Sequence, residues 1–194
     1  MGIFGVDMTD WQEGQEAFWD DAVRGSSALQ AALRRRMLDE METHELGTSI
    51  TGYCDLEKFY DSIDISKLIQ HAMGCGFPPP AMALLLQVHL GTRLLRVNKW
   101  VSEPITPYTS IIAGCRTSGH LARVLLYPVL QMQHDATPVP RSLHFRCFVD
   151  DLVLRINDPH RGRAIARFTE MFSEILQQLA DRALTHSPIK TIIR

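Results

Sequence analysis

Ser142-Leu143-His144-Phe145-Arg146-Cys147-Phe148-Val149-Asp150-Asp151-Leu152-Val153-Leu154-Arg155-Ile156 is the stretch on which the fold turns. Apolar and β-branched residues run through 142–148 and again through 152–156, the signature of two short strands. Val149, Asp150 and Asp151 between them leave room for a tight turn, so the spacing predicts a hairpin with an acidic pair at its tip. Upstream, Ser49-Ile50-Thr51-Gly52-Tyr53-Cys54 reads as another strand and stops abruptly at Asp55. Carboxylates delivered by otherwise apolar strands cost free energy unless a cation compensates them. Mg²⁺ takes hard oxygen ligands and keeps several waters, so two or three carboxylates plus substrate phosphates suffice to hold it. Two such ions about 4 Å apart suit in-line nucleotidyl transfer. Each piece also has an ordinary reading. An Asp-Asp pair is common turn chemistry, and the acidic residues at 55, 57, 61 and 64 fit the solvated start of a helix.

Outward from these strands, the spacing predicts a helix over about 65–73 stopped by Gly74 and Gly76, and one over about 80–90 entered through a proline run and closed by Gly91. Arg93 to Val97, Asn98-Lys99 and Trp100-Val101 read as a hairpin. Residues 121–133 are apolar enough for a mostly buried helix. The best amphipathic helix spans 160–183, with Ile165, Phe168, Phe172, Ile175, Leu176 and Leu179 on one face, and 189–193 resembles a short strand. Towards the N-terminus, Trp11, Phe18, Trp19, Val23, Leu29, Leu33, Met37 and Leu38 recur at mostly helical spacing. They are interrupted around Gly25 by a Gly-Ser-Ser that can cap a second helix.

The 194 residues, 45% hydrophobic, suffice for one compact core or a core with an appended lobe. With 20 basic against 22 acidic residues the net charge is -2, so no global positive field draws the chain to nucleic acid, and any such contact is local. Cys54, Cys75, Cys115 and Cys147 form no C-x-x-C pair and the eight histidines lack zinc-site spacing, which predicts free thiols in a reducing compartment. Neither a membrane-length apolar run nor a signal peptide is present, so the expectation is an intracellular protein, in cytoplasm or nucleus, with no membrane partner. Cys54 and Cys147 read as buried strand filler. Arg34-Arg35-Arg36, with Arg93, Arg96 and Lys99, are candidates for tracking a phosphate backbone, although consecutive arginines on a helix mostly face water.

Three segments together resemble a known family. Asp55-Leu56-Glu57-Lys58-Phe59-Tyr60-Asp61-Ser62-Ile63-Asp64 is similar to the first catalytic motif of reverse transcriptases, especially those of group II introns and non-LTR retrotransposons. Phe148-Val149-Asp150-Asp151 matches the aromatic-x-Asp-Asp motif. Leu184 followed by Ser187-Pro188-Ile189-Lys190-Thr191 resembles the segment in which a lysine precedes a threonine after a long helix. The resemblance covers about residues 20–194. It implies an α+β fold, a polymerase palm with a ferredoxin-like four-stranded antiparallel sheet backed by helices, with partial helical fingers. The expected division is 1–48 for N-terminal helices and partial fingers, and 49–194 for a palm truncated before the thumb.

The same resemblance implies an RNA-directed DNA polymerase that joins a dNTP to a primer 3′-hydroxyl on an RNA template. It would use two Mg²⁺ ions, or Mn²⁺, held by Asp55, Asp150 and Asp151. Lys190 is expected to approach the triphosphate and protonate departing pyrophosphate. Tyr60, with Phe59 beside it, is expected to lie beneath the sugar and exclude a 2′-hydroxyl. Gly114 and Arg116 fall where the family carries its Gln-Gly-x-x-x-Ser-Pro segment, but here the run is Ala113-Gly114-Cys115-Arg116-Thr117-Ser118-Gly119-His120 and the Ser-Pro is missing, which puts template positioning in question. Arg24-Gly25-Ser26-Ser27 faintly resembles a fingers motif. The expectation is an incomplete polymerase core, its missing fingers and thumb supplied by a longer product. The alternative is a catalytically silent relic that keeps the fold and at most binds nucleic acid or a partner. A viral-type RNA polymerase or a nucleotide cyclase is disfavoured by Tyr60 and by Val149 ahead of the Asp pair.

Overall fold

The computed structural model describes residues 3–15, 19–23, 25–135 and 143–194; Phe18, Arg24 and Ser142, used above, lie outside them. In chain order the elements are α1 (Ile3–Gly14), α2 (Ala28–Leu46), β1 (Thr48–Asp55), α3 (Phe59–Ser62), α4 (Ile65–Gly74), α5 (Pro79–Leu90), β2 (Arg96–Val97), β3 (Trp100–Val101), α6 (Ser118–Asp135), β4 (Leu143–Phe148), β5 (Asp151–Asp158), α7 (Arg161–Asp181) and β6 (Ile192–Ile193). Their contacts form two compact units, Met1–Glu16 with Lys58–Leu125 and Ala17–Glu57 with Leu126–Arg194. Neither is a continuous stretch, so this partition differs in kind from a division at residue 48.

The second unit is built on a four-stranded sheet in the order β4-β5-β1-β6. Every neighbouring pair is antiparallel. Strands β1 and β4 both run against β5 and therefore parallel to one another, so the path β1-α6-β4-β5-α7-β6 is the split β-α-β pattern of a ferredoxin-like palm. Alternation along the strands sorts the side chains. Gly52 and Cys54 on β1 share one face with Leu152, Leu154 and Ile156 of β5. Helix α7 closes that face with Phe168, Ile175 and Leu179, all buried. The approach is so close that a Cβ on Gly52 would stand 2.6 Å from Phe168 Cζ, which is why a residue with no side chain sits mid-strand.

In the first unit Trp11 of α1 packs edge-on against Phe77, with ring centroids 4.9 Å apart, and its indole N–H donates to the Cys75 carbonyl at 3.0 Å. Asp64 caps α4 by accepting from Lys67 N at 3.0 Å, as its place before the apolar run requires. Helix α5 begins on prolines at its first positions. The β2–β3 hairpin turns at Asn98, whose φ of 56° is tolerable for Asn.

Most expected elements recur, with several differences: the first helix is Ile3–Gly14 and so ends soon after Trp11, and the last strand is only Ile192–Ile193 because residues 189 and 190 lie in a turn. Trp19 to Val23 form turns and bends around a single bridge rather than a helix: Cys147 N donates to Trp19 O at 2.9 Å, Asp21 N donates to Cys147 O at 2.8 Å, and Asp20 bridges β4 in parallel. Strand pairing outweighs helical spacing here because Asp20 gains two acceptor contacts, from Tyr127 O–H at 2.6 Å and Ala22 N at 2.8 Å. On α7, Ile165 is exposed rather than on the buried face. Among the described residues no helix is long and apolar enough to cross a membrane.

Candidate active site

The antiparallel register of β1 and β5 places Asp55 directly opposite Asp151. Asp150 occupies the β4–β5 turn immediately before Asp151, so all three expected carboxylates sit at one end of the second unit's sheet. The turn is strained: Val149 holds a φ of 60°, a left-handed conformation that disfavours a β-branched residue. Burial, with the charges of Asp151 and Asp55, raises the Asp150 carboxyl above the ordinary range against the lowering effect of its own backbone N–H and of Lys190.

A second support comes from the segment after α7. Glu57 N donates to Thr185 O at 2.7 Å and Ser187 N donates to Asp55 O at 2.8 Å, fastening residues 185–187 alongside the end of β1. The chain then turns, with Thr191 N and its hydroxyl both donating to Ser187 O at 2.9 and 2.8 Å. That turn carries Lys190 Nζ to 3.1 Å from Asp55 Oδ2. The lysine side chain is 68% exposed, so the pair adds little stability, but it aims a cation at the carboxylates. Cys54, one residue before, has its thiol pushed up to about 11 by burial and is inert at neutral pH, as strand filler should be.

Asp55 Oδ2 is the atom that tests the fit of a metal. It is buried, and among the described residues it meets only the mostly exposed Lys190 ammonium at 3.1 Å, with no well-formed hydrogen bond. A solvated lysine offsets a buried carboxylate oxygen only weakly, which leaves that oxygen suited to a harder cation. The donors at this end are hard oxygens, which suits Mg²⁺. Among the described residues no three carboxylate, imidazole or thiolate groups converge into a ready cage. The arrangement suits an ion that takes few protein ligands and completes its shell with water and substrate phosphate.

The other expected residues lie in the first unit. Phe59 is buried on α3, its ring centroid 5.2 Å from that of the half-buried Tyr60. Tyr60 O accepts from Ile111 N at 2.9 Å, which ties α3 to the loop before Gly114. Gly114 has a φ of 77° with open space where a Cβ would be, and Arg116 is exposed two residues on. Arg34 and Arg35 do not simply face water. With Arg146 they surround Asp21, at 3.4, 3.7 and 3.6 Å, and its side chain is only 2% exposed. Asp21 carries no local sequence signal, because nothing in Trp19-Asp20-Asp21 marks it as buried.

A family model described as reverse transcriptase (RNA-dependent DNA polymerase) matches residues 16–194. No curated protein matches the chain. Among solved structures, apo telomerase from Candida tropicalis truncated of its C-terminal domain is 11% identical with a TM-score of 0.69, over 99% of this chain and 39% of that one. Telomerase from Candida albicans in complex with a TWJ fragment of telomeric RNA is 10% identical with a TM-score of 0.71, over 99% of this chain and 33% of that one. At such identity the likeness is one of fold, and this chain spans well under half the length of either. The match to the family model runs through both aspartate strands and the Lys190 turn, and on it the chain belongs to the reverse transcriptase (RNA-dependent DNA polymerase) family.

Proposed function

We propose that the chain is the catalytic core of an RNA-directed DNA polymerase that extends a DNA primer on an RNA template. Asp55 and Asp150 are the principal holders of two divalent ions, Mg²⁺ or Mn²⁺, and Asp151 assists them. The observation that carries the reading is the cross-strand pairing of Asp55 with Asp151 beside the raised carboxyl of Asp150. Bound there, Mg²⁺ supplies activation of the primer 3′-hydroxyl and stabilises charge on the departing pyrophosphate. Lys190, standing at Asp55, contacts the triphosphate and gives a proton to that leaving group. Tyr60, backed by the buried Phe59, forms the floor beneath the incoming sugar, and Gly114 with Arg116 serves the template side. The spelling of the Asp55 to Asp64 segment favours a non-LTR or group II intron origin within the family.

The test is Mn²⁺ binding to the purified chain, measured by paramagnetic relaxation of water, with Asp150→Asn as the comparison. The expected result is saturable binding that the substitution weakens at least on the order of tenfold, since one of few hard ligands is lost. Equal binding by both proteins would leave a silent relic that keeps the fold.

A further inference from the structure

Residues 110–114 are where the first unit's expected substrate contacts meet. Ile111 N donates to Tyr60 O at 2.9 Å and Ser110 N donates to Ile63 O at 3.1 Å, so this strip of backbone is fastened along α3. Cys115 N donates to Ile112 O at 3.2 Å and closes a four-residue turn. Gly114, with a φ of 77°, stands third in that turn, a position where a positive φ calls for glycine, and Arg116 follows directly. Ser110 opens the strip with a φ of 74°. Such a conformation costs a residue other than glycine free energy and persists only where its neighbours hold it.

His89, in the last turn of α5, holds the strip through the amide that begins this turn. The residue is 0% exposed, and its Nδ1 accepts from Ile112 N at 2.9 Å. A ring nitrogen that accepts carries no proton, so the imidazole is neutral with its proton on Nε2. Burial, and after it the charge of Arg93, lowers the pKa of His89 and so favours that neutral form. The His89 carbonyl in turn accepts from Arg93 Nη2 at 2.6 Å, and Arg93 exchanges backbone hydrogen bonds with Ile105 at 2.8 and 2.9 Å. One residue therefore joins the end of α5, the foot of the β2–β3 hairpin and the Gly114 turn. An apolar side chain could occupy the same space, but it would leave the Ile112 N–H without this partner.

We propose that His89 is a positioning residue for substrate selection. By accepting from Ile112 N it fixes the strip that sets Tyr60 on one side and the Gly114 turn with Arg116 on the other, while touching no substrate itself. The inference rests on the roles proposed for Tyr60, Gly114 and Arg116, and it involves none of the three aspartates.

Two measurements test it. In the unsubstituted full chain, the imidazole ¹⁵N resonances of His89 at neutral pH should show a protonated Nε2 and a bare Nδ1, and a proton on Nδ1 would overturn the proposal. The second compares His89→Leu, which removes the acceptor, with His89→Asn, whose amide oxygen returns one close to the Nδ1 position. In a primer-extending form of the protein, His89→Leu should raise the KM for a dNTP about fivefold with kcat changed less than about twofold, and should raise ribonucleotide incorporation about threefold relative to deoxynucleotide. His89→Asn should recover most of both. A folded His89→Leu with the parent's KM would overturn the proposal and leave His89 a purely structural residue, and so would equal losses in the two variants. Should neither variant fold, the tautomer decides alone. The sugar-floor reading fails separately, through a Tyr60→Ala variant with unchanged selectivity, and the KM effect transmitted through the Gly114 turn then still decides the role of His89.

Discussion

Asp150 sits where burial and two neighbouring carboxylates oppose its ionisation, so its carboxyl is held above the range it would have in the unfolded chain. A carboxyl raised by folding binds its proton more tightly in the folded state, so its ionisation withdraws stability as pH rises through that raised range. Asp150→Asn should therefore raise the melting temperature at neutral pH by roughly 2 °C without divalent metal. The gain should vanish in acid, where the native carboxyl is protonated. Calorimetry at two pH values checks this, and a variant less stable than the parent at neutral pH would show that the carboxylate is structural. Tyr60 makes a different claim. If its ring is the floor beneath the sugar, Tyr60→Ala in a primer-extending form of the protein should raise ribonucleotide incorporation on the order of tenfold relative to deoxynucleotide. An unchanged ratio would return Tyr60 to the role of a half-buried partner for Phe59. These residues were legible because two short motifs fix their order along the chain. Arg35 and Asp21 were not, because a burial shared by residues 14 positions apart leaves no local signature.

Strand β1 and helix α7 show which features of an element a single sequence carries. The run of β-branched and aromatic residues gave β1 and its end at Asp55, and the apolar face gave α7 almost to its ends. The gap at Gly52 had no reading until Phe168 was seen against it, its ring stacked on Phe172 with centroids 5.4 Å apart. That stack makes Phe168 slow to yield, so Gly52→Val should force α7 away from the sheet and destabilise the fold by about 2 kcal/mol. Urea unfolding measures the loss, and stability equal to the parent would mean that the ring swings aside freely. Helix α2 illustrates the opposite case. Its apolar spacing was a sound signal for a helix, yet Leu29, Leu33 and Met37 are exposed, while Ala31 is buried and Arg35, Leu38 and Asp39 line a recess at the sheet. Periodicity identifies a helix and a stripe, but the face that meets the sheet here is decided by ion pairs, Arg155 with Asp39 at 2.7 Å among them, that no periodicity encodes.

Across the molecule, a net charge of -2 sets how strongly nucleic acid can be held without metal. No long-range field steers a polyanion to this chain, so affinity must come from local neutralisation, and the number of phosphates neutralised is read from its salt dependence. If only a few local basic side chains supply the contacts, about three phosphates are engaged. The slope of log K against log salt for single-stranded DNA should then be about -2, at roughly -0.7 per contact. A titration from low to physiological salt measures it. A slope several times steeper would mean that many scattered basic residues share the load. A slope near zero would mean that base stacking, not phosphate contact, holds the strand. The fold's general plan was visible in the order of its motifs, but this quantity was not, since 20 basic and 22 acidic residues give no hint that three arginines gather on the sheet face that also carries Asp55.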